Sequence, residues 1–185
     1  MSEAKQQFIK LFKENIHREG ADELLEWLEK TDFFTAPAST RYHSCHEGGL
    51  CEHSINVYKR LINAYEAEHE VVPVGYKETL TICGLLHDVC KANFYKATTR
   101  NVKNEQTGRW EKQPYYTVEE KFPFGHGEKS VFLIERFMKL TIEEAVAIRF
   151  HMGDFSDMST SKAYNLCSLA LMLHIADLEA TYLDE

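Results

Sequence analysis

Apolar side chains recur at three- and four-residue steps along most of this chain, the period of helices that bury one face. Phe8, Ile9, Phe12 and Ile16 mark a first helix over residues 3 to 19, ended by Gly20, and Leu24, Leu25 and Leu28 mark a short second one over 21 to 30. Residues 35 to 47, with Pro37, Ser39 and Thr40, read as a loop. Ile55, Val57, Leu61 and Ile62 face inward on a third helix from about Leu50 to Glu68, and after Pro73 and Gly75 a fourth runs from Tyr76 to the pair His87-Asp88. The helical period then fails from Asn93 to Phe124. There the run from Asn104 to Gly108 lies between segments rich in Thr, Val, Tyr and Trp, which predicts a β-hairpin with its turn at 104 to 108. Helices resume at 127 to 139, at 142 to 151 and from about 160 to 183. Thr141 with Glu144 three residues on forms a capping box for the second of these. The expected fold is an all-α bundle with one inserted hairpin.

Composition narrows the class. A chain of 185 residues with 44% hydrophobic content is long enough to bury a sizeable core, and one domain over 1 to 185 is expected. No apolar run approaches a membrane span, and the N-terminal residues lack the apolar core of a secretion signal. The five cysteines have no CxxC spacing and read as reduced thiols, so the expected location is cytoplasmic. A net charge of −8 argues against charge-driven binding of duplex nucleic acid. The charge is uneven, however: residues 91 to 129 carry eight Lys/Arg against five Asp/Glu. A local basic rim on an acidic body suits a small anionic substrate.

Six potential metal ligands change the picture most: His53, the adjacent pair His87-Asp88, His126, His151 and Asp177. Asp177 sits in the apolar run from Leu169 to Leu178, where a carboxylate is costly without a cation. The intervals are 34 residues from His53 to His87, 38 from Asp88 to His126, then 25 and 26. Such spacing suits one ligand or ligand pair per helix or helix end, converging on a bundle interior. It is not the short cysteine-based spacing of a structural zinc site.

The segments Gly48 to Ser54, Leu85 to Lys91 and His174 to Leu178, with Gly125 to Glu128 and Phe150 to Gly153, resemble the HD-domain superfamily of metal-dependent phosphohydrolases in its two-metal branch. The likeness covers roughly residues 41 to 182, with the helices of 1 to 34 before it and the hairpin of about 94 to 122 inserted. Cys90 stands where the family usually has a glycine, and Met152 where many two-metal relatives have a second histidine.

The resemblance implies two divalent transition-metal ions, iron or manganese in preference to zinc. His53, His87, Asp88 and Asp177 are expected on the first ion, and Asp88, His126 and His151 on the second, with the Asp88 carboxylate as bridge. Two ions about 3.5–4 Å apart can share a hydroxide and clamp the attacking and leaving oxygens of a phosphoester or phosphoanhydride. Asp88 and Lys91 are therefore the expected catalytic residues, and His43, His46, Lys91, Lys129 and Arg149 the expected substrate contacts. Glu52 and Glu128 are candidates to orient the ligating imidazoles. Tyr95, Trp110, Tyr115, Tyr116 and Phe124 offer a stacking wall for a nucleobase or simply pack the hairpin on its own domain. The implied substrate is a small phosphorylated molecule, a nucleotide or a short single strand. The rival readings are a di-iron oxygenase using the same six ligands and a non-catalytic nucleotide-binding module.

Overall fold

A computed structural model describes residues 2–40, 44–69, 71–120, 122–153 and 158–185. They form α1 (Glu3–Asn15), α2 (Ala21–Lys30), α3 (Gly49–Glu68), α4 (Tyr76–Leu86), a 3-10 turn (Val89–Lys91), β1 (Tyr95–Lys103), β2 (Trp110–Val118), α5 (His126–Glu135), α6 (Ile142–Phe150), α7 (Met158–Leu166), α8 (Ser168–Glu179) and a π-helical turn (Ala180–Asp184). The fold is mostly α with an inserted hairpin, as the hydrophobic period predicts. Among the described residues no single helix is long and apolar enough to cross a membrane.

α3 is the central helix, packed on α1, α4 and α8. Its Leu50, Ile55, Val57 and Leu61 join Phe8 and Phe12 of α1, Leu80, Ile82 and Leu86 of α4, and Leu169, Leu173 and Ala176 of α8 in one apolar core. Two glycines permit the closest approaches. A Cβ on Gly84 of α4 would lie 2.6 Å from Tyr58 Cα on α3, and one on Gly127 of α5 would lie 2.1 Å from the Arg149 carbonyl oxygen on α6. Only a residue without a Cβ fits either position.

The hairpin has the expected turn. β1 and β2 pair antiparallel from Tyr95 with Val118 to Lys103 with Trp110. Asn104 Oδ1 accepts from the backbone N–H of Gln106 (2.9 Å) and Thr107 (3.1 Å), closing the loop as an Asx turn. The capping box on α6 also forms: Glu144 N–H donates to Thr141 Oγ1 (3.2 Å) and Thr141 N–H to Glu144 Oε2 (2.8 Å).

Boundaries differ in three places. α1 ends at Asn15 and not at 19, and α5 at Glu135 and not at 139. The helix expected over 160 to 183 is two helices, α7 and α8, bent by 111°. Cys167 between them is extended, with φ −138° and ψ 94°, and its thiol lies 3.7 Å from the Glu143 carbonyl oxygen. No glycine or proline marks this corner, which tertiary packing imposes on a sequence with an unbroken helical period.

Candidate metal centre

His87 and His151 are placed by the same local device. Each is the C-terminal cap residue of its helix, α4 or α6. Each ring turns back so that Nδ1 donates to the carbonyl three residues before: Gly84 at 2.9 Å for His87, Ile148 at 2.7 Å for His151. That bond fixes the tautomer and leaves Nε2 as the lone-pair nitrogen facing inward. His53, on α3, is held differently, with Nδ1 3.0 Å from Glu185 Oε1.

The inward atoms converge. His53 Nε2 lies 3.3 Å from His87 Nε2, 3.1 Å from Asp177 Oδ1 and 3.7 Å from Asp88 Oδ2. His87 Nε2 lies 3.6 Å from Asp88 Oδ2, and His151 Nε2 3.5 Å from Asp88 Oδ1. Two overlapping donor groups result, His53/His87/Asp177 and His87/Asp88/His151, each with ligand atoms within 4.8 Å of one another. His53, His87, Asp88 and His151 are buried.

Charge is finely set here. Burial disfavours a charged His53, but hydrogen bonds to Asp177 and Glu185 and the nearby Asp88 overcome it and raise its pKa to about 9. For His87 burial wins over the pull of Asp88, and the pKa falls to about 4. His151 is pushed down by burial and raised on balance by Asp88. Burial alone would raise Asp88, yet the Lys91 ammonium, His87 and His151 hold its carboxyl well below the usual range. Lys91, itself buried, places Nζ 2.6 Å from Asp88 Oδ2.

The arrangement fits a metal on its own chemistry. Neutral imidazoles and carboxylates are the donors that transition metals take. Among the described residues, His151 Nε2 is buried without a well-formed hydrogen bond, its nearest acceptor being Asp88 Oδ1 at 3.5 Å, a costly condition for a polar atom. A cation beside it would supply the missing partner.

The remaining expected residues divide. His126 opens α5 but stands outside both donor groups. Its Nδ1 lies 3.4 Å from Cys90 Sγ, and its ring meets Phe94 edge-on at 5.7 Å. The Cys90 thiol therefore occupies the flank of His126 and sits 3.8 Å from Asp88 Oδ1. Lys129 is tied to Glu120 at 2.9 Å and lies over the Phe94 ring, and Arg149 is tied to Glu128 at 2.6 Å on a groove between α5 and α6. His46 is exposed, 3.4 Å from Glu52. His43 lies outside the described residues. Glu52 and Glu128 thus serve other partners, and backbone carbonyls with Glu185 orient the imidazoles instead.

A cavity of about 480 Å³ opens onto the cluster, lined by Lys91, Met152, His174, Asp177, Leu178, Thr181, Tyr182 and Glu185. None of the hairpin aromatics lines it. Tyr95 donates to the Ala38 carbonyl (3.0 Å), Tyr115 lies under Arg100, Trp110 is exposed, and Phe124 packs on Phe122 and Phe132. Glu185 is the contact that sequence reasoning missed. Besides His53 it accepts from Ser44 Oγ (2.6 Å) and Asn56 Nδ2 (3.3 Å), partners more than a hundred residues away that no periodicity reveals.

Comparison with known proteins finds one partial likeness of note. A segment of 61 residues, 32% of this chain, is 41% identical to the dihydroneopterin 2′,3′-cyclic phosphate phosphodiesterase of Methanocaldococcus jannaschii and covers 24% of that protein. The match thus spans about a quarter of the relative's length. No family model and no solved structure matches the chain.

Proposed function

We propose that this chain is a metal-dependent phosphoester hydrolase of the HD superfamily, a single domain acting on a small phosphorylated molecule of nucleotide type. The observation that carries the reading is the pair of overlapping buried donor groups that share His87, with His151 Nε2 left without a well-formed hydrogen bond among the described residues. The phosphodiesterase named among similar proteins supports phosphoester hydrolysis.

In this reading His53, His87 and Asp177 would hold one ion, and Asp88 and His151 would serve a second. His126, placed beside Cys90, stands outside both sets. Divalent metal, when bound, supplies Lewis acidity and an activated water, and iron or manganese suits this mixed imidazole and carboxylate set. The chain's own residues do the rest. Glu185 keeps His53 oriented, and the Gly84 and Ile148 carbonyls keep the other two rings in register. Lys91, whose pKa is raised by Asp88 in spite of burial, stays charged at neutral pH and faces the cavity, where it meets a phosphoryl oxygen. It is the only Lys or Arg among the described lining residues. One such cation suits a single phosphoryl group better than a polyphosphate chain.

The test is metal content and turnover measured on one preparation. Two equivalents of metal per chain are expected, with hydrolysis of 2′,3′-cyclic nucleotides or bis(p-nitrophenyl) phosphate under strict anaerobiosis. Oxygen consumption matched to product would replace the hydrolase with an oxygenase. Protein carrying two metals but inert on every phosphoester in the panel would remove the activity.

A further inference from the structure

The cavity in front of the cluster is mixed in character. Its lining combines the charged Lys91, Asp177 and Glu185 with the apolar or aromatic Met152, Leu178 and Tyr182, which are 53%, 43% and 78% exposed. Large apolar side chains are costly to leave in water. Leu178 and Tyr182 are four residues apart, one turn along α8 and the π-helical turn that continues it, so they project to the same side. Single-turn π-helical segments recur at functional sites. Met152 reaches the same cavity from the turn after α6, directly following the ligand candidate His151.

We propose that Met152, Leu178 and Tyr182 form a platform for a flat ring, so that the site selects phosphoesters carrying a planar heterocycle. The inference rests on the reading of the cluster as a phosphoester site and adds which residues choose the substrate. Three features support it. Tyr182 presents an aromatic face, and a thioether with a branched aliphatic beside it packs well on a ring. A cavity of about 480 Å³ has room for a ring together with a single phosphoryl group. The hairpin aromatics that would compete for the role do not line the cavity.

Leu171 and Ile175 extend the apolar stripe along α8 without lining the cavity, 39% and 42% exposed. A stripe buried by a second copy of the chain is therefore the rival explanation of Leu178 and Tyr182, and the test separates the two. Protein loaded with Mn²⁺ is titrated calorimetrically with AMP and with ribose 5-phosphate, which carries the same phosphoryl group without the base. AMP should bind about tenfold or more tightly than ribose 5-phosphate. Tyr182→Ala should erase most of that difference and leave ribose 5-phosphate binding as it was, while Tyr182→Phe retains it. Met152→Ala should give a smaller loss of the same kind. Equal binding of the two probes, or no binding of either, overturns the platform. So does a Tyr182→Ala variant that weakens both probes alike or changes its elution volume in size-exclusion chromatography. Because the readout is binding, AMP selectivity in a protein that cleaves no phosphoester would preserve the platform and remove the hydrolase.

Discussion

On the proposed reading a metal ion would compete with Lys91 for one carboxylate oxygen, and Lys91→Met tests that competition. The ammonium lies 2.6 Å from Asp88 Oδ2, both groups are buried, and Oδ2 is also the atom nearest His53 and His87. A hydrogen bond between charged groups contributes about 1.5–3 kcal/mol. Binding a metal at Oδ2 forfeits that contribution, so removing the ammonium should tighten metal binding by about ten- to a hundredfold. Methionine keeps the length and apolar stem of lysine, so the space stays filled. Metal-depleted Lys91→Met should melt below metal-depleted wild type, because Asp88 has lost its cation. At saturating metal its kcat on a phosphoester should fall by about 10²–10³, the usual cost of removing one group that stabilises developing charge. The assays are competition of Mn²⁺ against a fluorescent chelator, thermal melts with and without metal, and steady-state kinetics at saturating metal. Unchanged or weaker metal affinity would refute the competition. Unchanged kcat would separate Lys91 from the phosphoryl group while leaving the competition intact.

Three further outcomes are expected. His53, with its pKa raised from about 6.5 to about 9, stabilises the metal-depleted fold fully below pH 6.5, and that contribution is lost as pH rises through 9. Between those limits metal-depleted melting temperatures should fall while Mn²⁺ affinity rises and a proton is released on binding, so calorimetry showing pH-independent affinity would refute the assignment. Glu144→Ala should destabilise by about 1.5–3 kcal/mol in urea denaturation, because it removes both Arg18 bonds, at 2.6 and 2.7 Å, and the Thr79 bond, and leaves Arg18 only Glu78 and the Lys139 carbonyl. Replacing residues 99 to 113 by a short Gly/Ser turn should leave metal content and KM unchanged, since these strand residues are largely exposed and none lines the cavity; loss of metal or a raised KM would restore a role for the hairpin.

What could be read from the sequence follows from how far each signal reaches. α2, with bounds Ala21–Lys30, comes directly from three leucines at helical spacing, and the hairpin turn from Asn104 and Gly108. Both depend on neighbours within ten residues. The corner at Cys167 does not, since Asn165, Leu166 and Ser168 continue a helical pattern and only packing on α6 breaks it. The cluster shows the same division. His53, His87, Asp88, His151 and Asp177 stand out as chemistry because ionisable residues in apolar helices need a reason. Lys129 and Arg149 were legible only as charges. Whether a cation faces a substrate or a neighbour depends on where Glu120 and Glu128 sit, and no interval in the sequence gives that. His126 is expected as a ligand from its place in the sequence, while its contact with the Cys90 thiol depends on how α5 packs beside the turn after α4, which no interval gives.

The placing of His87 beside His151 is set at the far ends of their helices. Glu144, in the first turn of α6, accepts from Thr79 Oγ1 at 2.8 Å, and Thr79 lies in the first turn of α4. The two helices are thereby pinned side by side at their N-terminal ends and run in the same direction. From Thr79 to His87 is eight residues and from Glu144 to His151 seven, so the caps arrive at the same height to within about one residue's rise of 1.5 Å. Their rings meet edge to face with centroids 5.0 Å apart. Two lone-pair nitrogens on like-positioned imidazoles gain little from each other, and burial penalises protonating them both. The pin beneath them holds that arrangement whether or not a cation is bound. A ligand set assembled in advance spares the metal most of the ordering cost that a flexible loop would impose. By this argument the Arg18–Glu144–Thr79 bonds, seven to eight residues of helix from the nearest donor residue, belong to the site as much as to the fold.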